Sequence, residues 1–170
     1  GESCMLDLGA NIECDSGNLV QFAVMGQIFA RLVLNLKRPT VGLLNVGSEE
    51  QKGHEELREA SAILRQIDLP MEFIGFVEGD DITAGTVDVI VTDGFSGNIA
   101  LKAAEGTSRM FTFFLKEAFG SSIYSKIGYV LSKTAINQVR ERMDPRKYNG
   151  AVFLGLNGIA VKSHGTVSYT

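Results

Sequence analysis

The same short pattern occurs four times along this chain: an apolar run is followed by a cluster of glycine, asparagine and acidic residues. The apolar runs are residues 5–8, 41–44, 73–77 and 87–91, and the polar clusters are residues 9–11, 45–50, 78–81 and 92–98. Segments with helical periodicity lie between most of these units. Short apolar strands that alternate with helices are typical of βαβ units. The sequence therefore predicts an α/β fold with a mostly parallel sheet.

Helices and two further strands complete the predicted order of elements. Helices are predicted over residues 16–37, 54–67 and 97–119, a projecting helical hairpin over about 110–143, and strands over residues 151–156 and 158–161. Asn157 and Gly158 join those two strands and predict a hairpin turn.

The first predicted helix, residues 16–37, is nearly all apolar. Asp15 and Ser16 can cap its start, and Pro39 ends it. Its polar side chains fall on one narrow stripe, formed by Gln27, Arg31 and Asn35. We therefore expect the helix to be covered on most sides, by the sheet and by another helix or a second subunit.

Composition excludes several classes of protein. The chain has 170 residues, 45% of them hydrophobic, which is enough for the core of one globular domain. The net charge is −4 and no basic stripe is visible, so we expect no nucleic-acid partner. The two cysteines cannot form a disulfide framework, which favours a reducing cytosol. The longest apolar stretch, residues 19–36, is interrupted by polar side chains, so we expect no membrane span.

The motifs of several enzyme classes are missing from the sequence. It contains no Walker lysine motif, no GxGxxG, no zinc-ligand spacing and no GxSxG elbow. We therefore expect no metal and no cofactor. The chain opens on Gly1 without a Met and stops shortly after a glycine-containing turn, so we expect both ends to be cut from a longer polypeptide.

The segment of residues 93–98 joins a predicted strand to a helix. Backbone N–H groups at a helix N-terminus favour an anion, and Gly94 and Gly97 allow the backbone to approach a ligand closely. Asn98 adds a neutral donor. The alternative is an ordinary capped helix with Ser96 as its N-cap.

The segment of residues 45–54 is a polar loop after a strand. Lys52 can hold a phosphate as a point charge, or it can simply be a solvated loop lysine. His54 can exchange a proton near neutral pH, or it can flank or cap the next helix. Both pairs of alternatives stay open from the residues alone.

Three further features have two interpretations each. Glu78, Asp80 and Asp81 can hold Mg²⁺, although solvated turn acids are the favoured interpretation. Cys14 has no paired histidine, which favours a plain thiol over a nucleophile. The apolar segment 123–131 is either a surface for a membrane or partner, or a packing hairpin buried in a dimer.

Taken in order and spacing, the motifs resemble the bacterial PlsX family over nearly the whole chain. The matching segments are residues 6–11, 42–47, 73–75, 77–79, 93–98 and 155–158, with His164 and Gly165. The resemblance implies an enzyme that forms acyl phosphate from acyl-[acyl carrier protein] and inorganic phosphate in phospholipid synthesis. It also implies a three-layer α/β/α fold like that of isocitrate and isopropylmalate dehydrogenases. Members are cytoplasmic homodimers that associate peripherally with the inner face of the membrane.

The resemblance assigns roles to particular residues. The family's active-site lysine and asparagine correspond to Lys52 and Asn98. The hairpin linked to membrane association corresponds to about 121–133, with the apolar residues Ile123, Tyr124, Ile127, Tyr129, Val130 and Leu131. The polar clusters supply the residues expected to bind phosphate or substrate, namely Gly9, Asn11, Asn45, Gly47, His54, Ser96 and Gly97.

The chain departs from the family pattern at two positions near this site. His54 stands where the family usually has Asn, and Phe76 stands where it often has Asn. Family members also begin well upstream, with a strand and a loop that contribute to the cleft. We therefore expect residues 1–170 to be the central and C-terminal part of a larger acyltransferase, and weakly active or inactive alone.

Two other functions remain as alternatives. The first is a short-chain phosphotransacylase that uses acyl-coenzyme A. The second is a non-catalytic lobe that docks a carrier protein or a membrane. Release of a thiol that depends on phosphate separates the enzymes from the docking lobe.

Overall fold

The computed structural model describes residues 3–142 and 150–163. The chain divides into two compact units, one ending at Leu101 and the other beginning at Lys102. The first unit contains β1 (Cys4–Leu6), α1 (Ser16–Val33), β2 (Thr40–Leu44), α2 (Glu55–Leu64), β3 (Glu72–Val77), α3 (Gly79–Ala84) and β4 (Val89–Val91). Helix α4 (Gly94–Gly120) follows β4 and extends into the second unit, which also contains α5 (Ile123–Arg142), β5 (Gly150–Phe153) and β6 (Ala160–Ser163).

Strands β1 to β4 form one parallel sheet, in the order β1-β4-β2-β3. The register places Leu6 and Leu43 on either side of Val91, with Phe76 next to Leu43. The carboxyl ends of the strands therefore lie in one row, and the loops that follow them start from the same edge of the sheet. The predicted α/β fold with a parallel sheet is confirmed.

The sheet is apolar on both faces, because consecutive strand residues are apolar and successive side chains point to opposite faces. Val89 and Val91 belong to a buried cluster with residues of α1 and α2, whereas Ile90 belongs to a second cluster against which Ile82 of α3 packs. Gly26 allows α1 to approach the sheet closely, since a Cβ there would lie 2.5 Å from Cγ1 of Val89. A larger residue at this position would push the helix away from β4.

Helix α1 begins where the sequence predicts and ends earlier. Asp15 accepts a 2.7 Å hydrogen bond from the backbone N–H of Asn18, as an N-cap does. The helix stops at Val33 rather than residue 37, and Asn35 has a φ of 56°, which a right-handed helix excludes. The expected polar stripe is split, because Gln27 is only 2% exposed while Arg31 is exposed.

One face of α1 is apolar and exposed. Ile28, Leu32 and Val33 all present large exposed side chains, and Leu32 is 75% exposed. Part of the cover that the sequence predicts for this helix is therefore not provided by the described residues. Helix α2 is also shorter than predicted, since its regular turns end at Leu64 rather than residue 67.

In the second unit, α4 and α5 contact each other through aromatic side chains. The rings of Phe119 and Tyr129 meet edge to face, with centroids 5.4 Å apart. Strands β5 and β6 pair antiparallel, as expected, but both are shorter than predicted. Asn157 and Gly158 lie within the longer connection 154–159 rather than forming a two-residue turn. None of the helices in the described part of the chain has both the length and the apolar character needed to cross a bilayer.

Candidate functional site

The loop after β1 is organised by the carboxylate of Asp7. Its Oδ1 accepts hydrogen bonds of 3.1 Å from the backbone N–H groups of Gly9 and Ala10. Its Oδ2 accepts from both the backbone and the side-chain amide of Asn11. Burial by itself raises the pKa of Asp7, but these hydrogen bonds outweigh it and hold the pKa below its ordinary value. Asp7 therefore stays ionised at neutral pH and holds the predicted residues Gly9 and Asn11 in place.

Helix α4 starts directly against this loop, three residues earlier than predicted. The N-cap is Asp93 rather than Ser96: its Oδ1 accepts a 2.7 Å hydrogen bond from the backbone N–H of Ser96. The N–H of Gly94 donates to the carbonyl of Asn11 at 2.7 Å. The N–H of Gly97 donates to the carbonyl of Asp93 at 3.0 Å. This N–H is therefore not free to bind an anion, contrary to the sequence-based expectation for this segment. The first turn of α4 is thus largely satisfied by the protein itself.

Gly97 and Gly9 bring the loop and the helix into contact. A Cβ on Gly97 would overlap the carbonyl oxygen of Asp7 and lie 2.8 Å from Cγ2 of Thr92. Gly9 has a φ of +119°, which L side chains rarely adopt, and a Cβ there would lie 3.3 Å from Nδ2 of Asn98. The Asn98 amide therefore lies beside the backbone of Gly9. Within the described residues, no hydrogen bond is made by this amide, which leaves it available to a ligand.

The loop after β2 is organised by the buried side chain of Asn45. Its Oδ1 accepts a 2.9 Å hydrogen bond from the N–H of Val46, and its Nδ2 donates to the carbonyl of Lys52 at 3.0 Å. The Asn45 amide thus closes the loop on itself instead of facing a ligand. This loop also contacts the start of α3, because the N–H of Ser48 donates to Oε1 of Glu78, which is the N-cap residue of that helix.

Lys52 is paired with an acid from its own loop. Its Nζ lies 2.8 Å from Oε1 of Glu49, and both side chains are at least half exposed. The hydrogen bond that Lys52 donates to Glu49 and the charge of that carboxylate raise the pKa of Lys52. Lys52 is therefore protonated at neutral pH. Its ion pair with Glu49 was not predicted, although a spacing of three residues within a turn is a usable sequence signal.

His54 occupies the N-cap position of α2 but makes no side-chain capping hydrogen bond. Its imidazole is exposed, at the end of the loop that carries Lys52. His54 therefore flanks α2 in the structure, and its proton-transfer role stays a prediction.

The acids after β3 cap a helix. Glu78 and Asp81 form a reciprocal capping box at the start of α3, and Oδ1 of Asp81 also accepts from the hydroxyl of Thr86. These hydrogen bonds lower the pKa of Asp81. The interpretation as turn acids agrees with this geometry, and no group of side chains in residues 3–142 and 150–163 has the composition of a metal site.

Cys14 lies next to the loop after β1 and remains a protonated thiol at neutral pH. Burial raises its pKa, and the carboxylates of Asp7, Asp93 and Asp15 raise it further. A thiol with a raised pKa is a poor nucleophile. His164, which contributed to the family resemblance, lies outside the described residues.

The predicted site residues fall into two groups at one edge of the sheet. Gly9, Asn11, Ser96, Gly97 and Asn98 follow β1 and β4, whereas Asn45, Gly47, Lys52 and His54 follow β2. Strands β4 and β2 are neighbours, so their following loops start about 5 Å apart. No hydrogen bond or ion pair between described residues joins Lys52 to Asn98.

The apolar residues predicted on the hairpin all lie in the first turns of α5. Ile123, Tyr124, Ile127, Val130 and Leu131 are exposed, and Leu131 is 82% exposed. Tyr129 is the exception, because it is partly buried against Phe119.

Comparison with known proteins shows which family the chain belongs to. The family described as "Fatty acid synthesis protein" matches residues 1–170. The phosphate acyltransferase of Paramagnetospirillum magneticum is 63% identical over 97% of this chain and 47% of its own length. Those of Rhodospirillum centenum and Agrobacterium fabrum are 66% and 61% identical over 97% of this chain, which covers 46% and 47% of their lengths. The chain spans about half the length of these relatives. The resemblance deduced from the motifs is therefore confirmed, and the chain belongs to the fatty acid synthesis protein family.

Proposed function

We propose that the full-length protein is a phosphate acyltransferase that converts acyl-[acyl carrier protein] and inorganic phosphate into acyl phosphate. The observation that carries this proposal is that a cation and an amide donor lie in the segments that follow neighbouring strands, and that the amide has no hydrogen-bond partner among the described residues. Lys52 supplies the cation and Asn98 the amide. The names of the relatives support the same reaction.

The proposed reaction needs no covalent intermediate with the protein. An oxygen of phosphate attacks the carbonyl carbon of the thioester, so that a C–O bond forms and the C–S bond breaks. The electron pair of the broken bond stays on sulfur, and the proton of hydrogen phosphate ends on the released thiol. Lys52 holds the phosphate, and the Asn98 amide donates to the oxyanion that develops on the carbonyl oxygen. The protonated thiol of Cys14 takes no part.

Exposed apolar side chains around this edge favour a long acyl group over acetyl. Ile12, Val46, Phe95 and Ile99 all follow carboxyl ends of the strands and are more than half exposed. Burying an alkyl chain against such side chains is favourable by about 0.8 kcal/mol for each methylene. This distribution supports a fatty acyl thioester rather than the short-chain coenzyme A thioester.

The test is thiol release from long-chain acyl carrier protein, with and without phosphate, in the full-length protein. Lys52→Ala and Asn98→Ala should each lower kcat/KM by about 10²–10³, as loss of one oxyanion or phosphate donor does. Lys37→Ala, which removes an exposed lysine after α1, should leave turnover unchanged. Near-normal turnover in both site variants contradicts the assignment, and faster release from acetyl-coenzyme A favours the short-chain alternative.

We also infer that residues 1–170 alone are weakly active or inactive, with the three-layer dehydrogenase-like fold completed only in the full-length protein.

The exposed apolar face of α1 supports a homodimer, and the exposed apolar residues of α5 support peripheral membrane association at the cytoplasmic face. Leu131→Glu should reduce flotation of the full-length protein with anionic liposomes. Ile159→Glu changes an equally exposed side chain outside α5 and should not. Equal flotation of both variants contradicts the role of α5.

A further inference from the structure

In the loop after β2, the ion pair between Lys52 and Glu49 packs against the backbone of Gly47. Besides the 2.8 Å contact between Lys52 and Glu49, the backbone N–H of Lys52 donates to the carbonyl of Glu49 at 3.0 Å. A Cβ on Gly47 would lie 2.5 Å from Cδ of Lys52, 2.7 Å from Oε2 of Glu49 and 2.9 Å from Nζ of Lys52. Both charged side chains therefore lie directly on the backbone of Gly47, in space that a larger residue would fill.

The Glu49 carboxylate holds the position that an external anion needs. A carboxylate and a phosphate both approach an ammonium group through negatively charged oxygens at about 2.8 Å. Resting on the phosphate-binding role proposed for Lys52, we propose that Glu49 competes with inorganic phosphate for Lys52 and so sets the affinity of the enzyme for phosphate. Glu49 thus tunes the affinity for phosphate and leaves Lys52 when phosphate binds.

The neighbouring acids are held elsewhere, which singles out Glu49. Glu50 forms an ion pair with Arg65 at 2.9 Å. Glu78 accepts a hydrogen bond from the N–H of Ser48 and belongs to the capping box of α3. Its charge raises the pKa of Lys52 less than Glu49 does. Among the described residues, the ion pair of Lys52 is therefore with Glu49, and not with Glu50 or Glu78.

Displacement of Glu49 is feasible because the pair is exposed. Both side chains are at least half accessible to water, and exposed ion pairs change an equilibrium by no more than about fivefold. A phosphate, which carries between one and two negative charges near neutral pH, can overcome a competitor of this strength. The expected effect of removing Glu49 is therefore a change of about two- to fivefold in the KM for phosphate.

The experiment compares Glu49→Gln with Glu50→Gln in the full-length protein, with phosphate-dependent thiol release as the assay. Glu49→Gln should lower the KM for phosphate about two- to fivefold, with kcat unchanged within about twofold. Glu50→Gln removes the same charge one residue away and should leave the KM for phosphate near that of the wild type. A KM that rises in Glu49→Gln means that Glu49 orients Lys52 for the substrate, and it overturns the proposal, as does an equal decrease in both variants.

A double-variant cycle separates this inference from the proposed function. The effect of Glu49→Gln should disappear when Lys52 is already alanine, because the two residues then share no contact. If it persists, Glu49 does not act through Lys52 and the inference is wrong. If Lys52→Ala alone retains wild-type kinetics, the phosphate-binding role of Lys52 is wrong, and the inference that rests on it is wrong too.

Discussion

Replacing Gly97 by alanine tests whether the contact between α4 and the loop after β1 builds the site. The added Cβ would overlap the carbonyl oxygen of Asp7 and crowd Thr92. A backbone atom cannot avoid this overlap by changing rotamer, so the upper part of the usual range for overpacking applies, about 3 kcal/mol. Alanine gains about 1 kcal/mol of helix propensity over glycine. The expected net loss in free energy of unfolding is therefore about 2 kcal/mol.

The matched control is Gly106→Ala in the same helix. Nothing lies within 4 Å of a Cβ at Gly106, and the position is exposed. This variant should gain about 1 kcal/mol from helix propensity alone. Because both changes add the same methyl group to α4, the expected difference of about 3 kcal/mol between them measures the contact at Gly97.

Both variants should be measured in the full-length protein by thermal unfolding and by thiol release. Gly97→Ala should lower the unfolding midpoint by roughly 3 °C, because a protein about twice the length of this chain has a melting entropy of about 0.7 kcal/mol/K. It should also lower kcat/KM about a hundredfold, since a shift of about 1 Å in the first turn of α4 misplaces the Asn98 amide. If Gly97→Ala is as stable and as active as Gly106→Ala, the close packing of α4 against the Asp7 loop is refuted.

Three further changes test other contacts. Asp7→Asn should lose about 1–2 kcal/mol of stability at pH 7. Because the folded pKa of Asp7 is depressed, its contribution is complete above the unfolded pKa and is lost as the pH falls through the folded value, so stability curves of variant and wild type should converge below about pH 4. Gln27→Met should raise the free energy of unfolding by about 1 kcal/mol, since the buried Oε1 of Gln27 has no hydrogen-bond partner among the described residues; a lower value in urea unfolding would contradict this. Asn45→Ala should lower the free energy of unfolding by about 1–3 kcal/mol and raise the KM for phosphate, because the Lys52 carbonyl loses its hydrogen bond from Asn45. An unchanged KM would show that this hydrogen bond does not position the lysine.

The strands and the edge where they end could be predicted from the sequence because the signals are local. An apolar run followed by Gly and Asx residues marks a buried strand and the loop after it, whatever its neighbours are. The strand order could not be predicted, because pairing of β4 with both β1 and β2 depends on contacts between residues more than 40 positions apart.

The predicted start of α4 was wrong because a hydrogen bond to a distant part of the backbone contributes to it. Asp93 caps α4 because the carbonyl of Asn11 already accepts from Gly94, so the helix can start before Ser96. On α1, periodicity alone grouped Gln27 with Arg31, whereas the packed sheet buries one and leaves the other exposed.

By itself, the sequence determined the family, the parallel α/β architecture and which loops meet at one edge, because these follow from short-range patterns of apolar and turn-forming residues. Only the tertiary structure decided which polar side chains after the strands are used in hydrogen bonds within the protein. Asn45 lies in the loop after β2 and Asn98 lies in α4, each shortly after a strand of the sheet. The Asn45 amide is used within its own loop, whereas the Asn98 amide lies beside Gly9 and has no hydrogen-bond partner among the described residues. The reason is physical: a polar side chain binds whatever donor or acceptor the fold brings nearest, and that neighbour is set by packing rather than by position in the chain.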